Sequence, residues 1–307
     1  MAKKQPLIWF LLNIFRYFVC RLTHRQALAL GAFLGGTVAR FTPKRVKAAT
    51  RRCSRELAVS YEEAFSVVKA AYRHFGMAAA EFARMPVAAP KINDIVFPHG
   101  LENLENALRG GRGVMLITAH IGNWEYGACW CARNGYALNA LGADQRDDRL
   151  TDLIMELRRS GGYRALGKKN DMKAVYKALQ AKEIIAVPID QDAKGAGVVS
   201  MFLSNPASTP TGVAKLAYRL GCAVVPVFCI RRDEGGSFDF HFLPALRGRN
   251  GEPFGKDVQA AMDDCNDIIS QWIRKYPNQW LWMYPRWESV ERGEVRCAAG
   301  STREEIR

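Results

Sequence analysis

Two residue types at one spacing carry the first chemical clue. In the stretch GVMLITAHIGNWEYGACW, residues 113–130, an apolar run ends on His120, and Glu125 follows at the start of a helix-like segment. A strand buried in a core needs no imidazole at its tip. An imidazole with one nitrogen against a carboxylate is fixed in tautomer and orientation, and its other nitrogen is free to take a proton. Gly122 and Asn123 make a tight turn across which Glu125 is expected to meet His120. No Gly-x-Ser-x-Gly elbow is present and no Ser or Cys adjoins His120, so such a base would activate a substrate hydroxyl rather than an enzyme side chain. Asp190, followed by Gln191 and Asp192, ends a second apolar run, IIAVPI. These groups suit binding sugar hydroxyls or positioning Arg158. Arg158 in turn suits a phosphate held bidentately or a developing oxyanion. His24, His74, His99 and His241 lie far from His120 in sequence, so no metal and no cofactor is expected.

Such residues need strands and helices to hold them. From about Ile95 apolar strands alternate with amphipathic helices. The spacing predicts strands over Val114–Thr118, 137–141, 184–189 and 222–230. It predicts helices over Trp124–Arg133, 149–159, 172–181 and 257–276. SYEE at 60–63 is a capping box that opens a long helix. Ser208 or Thr209 is expected to cap a helix with Pro210 at its first position and Gly221 at its close, and SFDFHF to be an antiparallel strand. Continuous apolar strands alternating with helices predict an α/β fold with a mainly parallel central sheet covered by helices on both faces. Sites in such folds lie beyond the carboxyl ends of the strands, which is where His120 and Asp190 fall. If those strands are neighbours, the two residues sit side by side.

The chain has 307 residues, 49% of them apolar, enough for a sizeable core. Its formal net charge of +14 speaks of anionic partners rather than of fold. Nucleic acid is not expected among them, because the regular interleaving of aromatic and basic residues is missing. The eight cysteines show no CxxC spacing and mostly sit in apolar runs, as reduced, buried thiols do. The N-terminal MAKKQPLIWFLLNIFRYFVCRL is interrupted by Arg16 and lacks a small-residue cleavage site, and its longest apolar run falls far short of a membrane span. With basic flanks and many aromatics it is expected to lie in the membrane interface, together with ALALGAFLGGTVARF at 27–41. The alternatives are packing on the protein's own core or a single span. The expected organisation is a membrane-associated helical segment over 1–45, a catalytic α/β domain over 46–290 and a polar tail over 291–307.

TAHIGNWE has the His-x4-acid form of glycerolipid acyltransferases. With the block PIDQDAKGAGVVSMFLSNPASTPTGVAKLAYRLGCAVVPVF and the tail YPNQWLWMYPRW, the chain resembles the bacterial lipid A biosynthesis acyltransferases, from about Arg51 to Trp287. The resemblance implies transfer of an acyl chain from an acyl-carrier-protein thioester to a hydroxyl of a lipid A precursor. The bacterial inner membrane, at its cytoplasmic face, is the implied location, with anionic inner-leaflet lipid as a further partner. It implies His120 as general base and Glu125 as its orienting acid. The family's further arginine matches Arg158, with Arg159 the alternative, and its second acidic position matches Asp190. The family's Arg-Pro-Asx-Asn-Pro-like signature is missing from GADQRDDRLTD, where Arg146 alone matches its arginine, and the tail has Tyr284, Pro285, Arg286 and Trp287 in place of His-Arg-Arg-aromatic. These departures bear on which acceptor is used. The rivals are another glycolipid or lysophospholipid acceptor, and a non-enzymatic basic peripheral membrane protein. Glycerol phosphate is disfavoured, since DQDAKG stands where a Glu-Gly-Thr-Arg-like block belongs. The aromatic run QWLWMYPRW suits an acyl-chain lining, an interfacial belt or plain core packing.

Overall fold

The computed structural model describes residues 6–142, 147–167, 172–232 and 235–295. Four helices come first: α1 (Pro6–Val19), α2 (His24–Phe41), α3 (Pro43–Leu57) and α4 (Tyr61–Ala83). A short turn, α5 (Met85–Ala88), leads to β1 (Val96–His99), α6 (Leu101–Arg109), β2 (Val114–Thr118) and α7 (Trp124–Arg133). Then follow β3 (Leu138–Gly142), α8 (Asp148–Gly161), β4 (Arg164–Gly167), α9 (Met172–Gln180) and β5 (Ile184–Pro188). The remainder is β6 (Gly197–Phe202), β7 (Asn205–Pro210), α10 (Gly212–Leu220), β8 (Ala223–Arg231), β9 (Phe238–Phe242), α11 (Val258–Lys275) and α12 (Glu288–Glu291).

Seven strands form one sheet in the order β1-β9-β8-β2-β5-β3-β4. All neighbours run parallel except β8 and β9, so the sheet is mainly parallel, as the alternation of apolar runs and helices predicts. Every residue of β2 is buried because both faces are covered. Met115 and Ile117 point into one apolar core with Ile185 and Val224, while Val114 and Leu116 join the other with Ile184 and Val225. β2 and β5 are direct neighbours, with Thr118 opposite Pro188. Their carboxyl ends therefore deliver His120 and Asp190 to the same spot.

The capping box at Ser60 and Glu63 forms. The cap assigned to Ser208 or Thr209 does not: both lie in β7, paired with β6 in a separate hairpin, and α10 begins after Thr211 without a side-chain cap. Their hydroxyls are already engaged. Ser208 Oγ donates to Lys194 O, and Thr209 Oγ1 accepts from Asn266 and Arg286. A tertiary partner has outcompeted the local one.

α2 packs on α4 through small residues. A Cβ on Gly31 would lie 2.5 Å from the Gly76 carbonyl oxygen, and one on Gly35 would lie 2.1 Å from that of Tyr72. Only glycine lets the two backbones approach so closely. α2 also leaves Phe33, Leu34, Val38 and Phe41 exposed, and α1 likewise exposes Phe10, Leu11, Tyr17 and Phe18. The end of α1 is fastened from below: the Arg84 guanidinium donates to the carbonyls of Val19 and Leu22. These two segments thus pack partly on the protein itself, the alternative reading of their sequence. No helix among the described residues is long and apolar enough to cross a membrane. Cys53, Cys129, Cys131, Cys222, Cys229 and Cys265 are buried free thiols. Burial pushes Cys53 and Cys129 up to about 12, which leaves them unreactive.

Candidate active site

The loop after β2 is built to aim one side chain. Gly122 has φ +62°, and a Cβ there would meet the Cys229 carbonyl oxygen at 2.0 Å, so the turn requires glycine. Asn123 caps α7 by accepting from Tyr126 N–H at 2.9 Å. Its amide also donates to Glu81 Oε2 at 2.8 Å, and Glu81 takes two further bonds from the Arg231 guanidinium at 2.8 and 2.6 Å. His74 Nε2 lies 3.0 Å from the Gly122 carbonyl. Burial, reinforced by Arg231, holds this imidazole down to about 3, so it stays neutral and donates from Nε2. The turn is thereby braced from α4 and β8 by groups that never reach the cavity.

His120 Nδ1 lies 2.7 Å from Asp190 Oδ1. Asp190 Oδ2 accepts from the His120 backbone N–H at 2.8 Å and from the Trp280 indole N–H at 2.8 Å. Asp190 is 2% exposed. Burial alone would raise its carboxyl, but the His120 ring, its N–H groups and Trp280 outweigh burial and hold the carboxyl below the usual range. A carboxylate only accepts, so Nδ1 carries the ring proton and Nε2 presents its lone pair. Nε2 has no hydrogen-bond partner among the described residues, and the ring lines a cavity of about 200 Å³ with Thr118, Trp124, Glu125, Arg158 and Gln191.

This geometry corrects the role of Glu125. No hydrogen bond or ion pair joins it to His120. Its carboxylate accepts from Arg158 Nε at 3.1 Å and Arg158 Nη2 at 2.7 Å, from the Tyr163 hydroxyl, and from the Trp124 indole at 3.2 Å. Glu125 lies in the first turn of α7, whose Cβ atoms lean toward the helix start, and it faces α8 across the cavity rather than the tip of β2. Asp190 takes the place against the imidazole because its strand is the direct neighbour of β2. Arg158 is correspondingly not held by Asp190. Burial would lower its guanidinium, but Glu125 more than offsets this and keeps it charged. Its Nε and Nη2 are spent on Glu125, and Nη1 has no partner among the described residues.

The other expected site residues part company. Gln191 lines the cavity. The Asp192 carboxylate accepts from Ser289 N–H at 2.9 Å, Ser289 Oγ at 2.6 Å and Lys194 N–H at 2.9 Å, so it fastens α12 instead of forming a polar lip. Asp190 is likewise buried and not on a lip. Arg146 lies outside the described residues. The sequence reading missed Tyr163, which closes the Glu125 cluster, and the buried Glu81 and Arg231 pair. Nothing local marks them, since their partners lie 38 and 150 residues away. Trp280, Trp282 and Trp287 are fully buried, so the aromatic tail is core packing and neither lines this cavity nor forms an exposed belt. A larger groove of about 830 Å³ lies between β6 and α11, but no histidine or cysteine lines it. Its charged lining is mixed, with Asp263, Asp264 and Asp267 beside Arg249 and Arg274, and Arg249 is paired with Asp264.

The Phosphatidylinositol mannoside acyltransferase of Mycobacterium tuberculosis is 27% identical over 192 residues, covering 61% of this chain and 58% of that protein. The chain thus spans less than two thirds of the length of this relative. The Lipid A biosynthesis palmitoleoyltransferase of Escherichia coli K12 is 25% identical over 297 residues, covering 94% and 93%. The Lipid A biosynthesis lauroyltransferase of the same strain is 24% identical over 197 residues, covering 63% and 62%. The model of the bacterial lipid A biosynthesis acyltransferases matches residues 2–289, and it includes the loop, both strand ends and the tail that build this site. The chain belongs to the bacterial lipid A biosynthesis acyltransferase family.

Proposed function

We propose that the protein is an O-acyltransferase that moves a fatty acyl chain from an acyl-carrier-protein thioester to a hydroxyl of a lipid A precursor. The observation that carries the reading is a histidine with Nδ1 on a buried carboxylate and Nε2 open to a cavity. His120 Nε2 removes the acceptor hydroxyl proton as the oxygen attacks the thioester carbonyl. The C–O bond forms, the tetrahedral intermediate collapses with C–S cleavage, and the imidazolium returns its proton to the departing thiolate. Asp190 stabilises that imidazolium. The unspent Nη1 of Arg158 suits the developing oxyanion or an acceptor phosphate, and Glu125 is its anchor.

The same chemistry on a mannosylated phosphoinositide is the second reading, favoured by the name of the mycobacterial relative. Incubation with acyl-carrier-protein thioesters of varied chain length, and with a tetra-acylated lipid A precursor or a phosphatidylinositol mannoside, separates the two by mass spectrometry. Acylation of the first acceptor is expected. Acylation of the second alone would replace it, and transfer to neither would move the acceptor to another glycolipid or a lysophospholipid.

The proposed site of action is the cytoplasmic face of the inner membrane, on anionic lipid. The net charge of +14 and the exposed Phe33 and Phe41 of α2 support it. Each fully inserted phenylalanine contributes about 1.5–3 kcal/mol. Phe33→Glu with Phe41→Glu is expected to weaken sedimentation with phosphatidylglycerol-rich vesicles at least tenfold. Unchanged co-sedimentation would mean that α2 is not the docking face.

A further inference from the structure

We propose that Trp280 is a positioning residue for the His120 base: its indole N–H locks the Asp190 carboxylate in the orientation that holds Nδ1. The inference rests on the reading of His120 as the base. Trp280 Nε1 donates to Asp190 Oδ2 at 2.8 Å, while Oδ1 receives His120 Nδ1 at 2.7 Å. Trp280 is the one side chain other than His120 that donates to this carboxylate among the described residues. The backbone beside it fastens the other half of the pair. Leu281 N–H donates to the His120 carbonyl at 3.2 Å, and the Gln279 carbonyl accepts from Gly122 N–H at 3.1 Å. One piece of chain therefore sets the imidazole loop and the carboxylate against each other.

That piece is itself immobile. Trp280 is 1% exposed and meets Trp282 edge-on at 4.7 Å and Phe202 at 5.7 Å between ring centroids. It does not line the cavity, so it acts only through Asp190. The other groups facing the pair are Tyr284 and Arg286 from the tail, Asp192 on the Asp190 loop, and the Glu125–Arg158 pair across the cavity. None of these donates to Asp190. The Arg286 guanidinium is committed to Ser208 O and Thr209 Oγ1, and the Tyr284 hydroxyl accepts from Asp192 N–H.

Without the indole N–H the Asp190 anion is less stabilised. The more concentrated charge favours the imidazolium, Nε2 holds its added proton more tightly, and the acid limb of the kcat/KM profile moves to higher pH, by about one unit. By analogy with the outer partners of metal-bound histidines, kcat falls about 10–100-fold. KM is unchanged, because the cavity wall is unchanged. The test uses the full chain with lauroyl-acyl carrier protein and a tetra-acylated lipid A precursor. Trp280→Phe removes the donor but also leaves a void. Replacing Trp280 by benzothienylalanine, which has sulfur in place of the N–H, removes the donor at nearly constant volume. Trp282→Phe measures the loss due to packing and to an indole hydrogen bond that goes to the Pro277 carbonyl and not to Asp190. The expected result is a shifted limb and lowered kcat for both position-280 variants and an unshifted limb for Trp282→Phe. A benzothienylalanine enzyme with the native limb and kcat overturns the inference, as does an equal, pH-independent loss in Trp280→Phe and Trp282→Phe. His120→Ala separates the two levels: full transfer by that variant defeats the base reading itself. Titration of 15N-labelled His120 by NMR reads the same shift without turnover.

Discussion

His120→Ala lowers kcat by about two to four orders of magnitude while the protein stays folded. Among the described residues lining the cavity the ring has a free basic nitrogen, whereas the Glu125 carboxylate is engaged by Arg158 and Tyr163, and the ring is on a loop whose turn is fixed by Gly122, Asn123 and His74 rather than by the imidazole itself. Asp190→Asn is expected to be nearly as damaging. An amide can donate to Nδ1, which then carries the lone pair and leaves the proton on Nε2, the wrong tautomer for a base; in Ser-His-Asp triads this exchange costs about four orders of magnitude. Steady-state kinetics with circular dichroism on the same preparations checks both variants. A folded His120→Ala protein with native turnover would sink the mechanism. Glu125→Gln should behave differently. It loosens Arg158 and the Tyr163 hydroxyl, so its loss is expected in how the oxyanion or phosphate is held, with the acid limb of the pH profile unmoved.

Glu81→Leu is expected to cost about 3–5 kcal/mol of stability. Glu81 is wholly buried and takes both terminal nitrogens of Arg231, whose side chain is 4% exposed. Removing the carboxylate leaves a guanidinium in the core with no counterion and strands the Asn123 amide as well. The double variant Glu81→Leu with Arg231→Met should recover much of the loss, because an apolar pair of similar volume removes both desolvation costs. Thermal or chemical denaturation decides, with a Tm fall on the order of 10 °C expected for the single variant. A double variant no more stable than the single one would mean that the pair is held for orienting the Asn123 turn and not for charge balance. Activity in the double variant then tells whether that turn still aims His120.

Much of the fold is legible along the chain. The strand Val114–Thr118 and the helix Trp124–Arg133 emerge at the bounds expected from apolar run, turn and cap, since both signals are local. β4, which is short, and the β6–β7 hairpin, which is only partly buried and shows no strict alternation, are not marked by local pattern. The candidate base and the second acid were likewise visible, because both terminate apolar runs that have to be buried strands.

What the sequence by itself determined is the cast: a histidine, two acids and an arginine, placed at strand ends and helix ends by hydrophobic period and turn residues. Which acid serves the histidine was decided only by the tertiary structure. Glu125 is near His120 along the chain, but a helix's first turn points it at Arg158. Asp190 is 70 residues distant, yet parallel pairing of β2 with β5 sets it 2.7 Å from the ring. Separation along the chain is a local quantity, whereas a hydrogen bond depends on which strands the sheet makes neighbours. That ordering is set by burial over the whole domain.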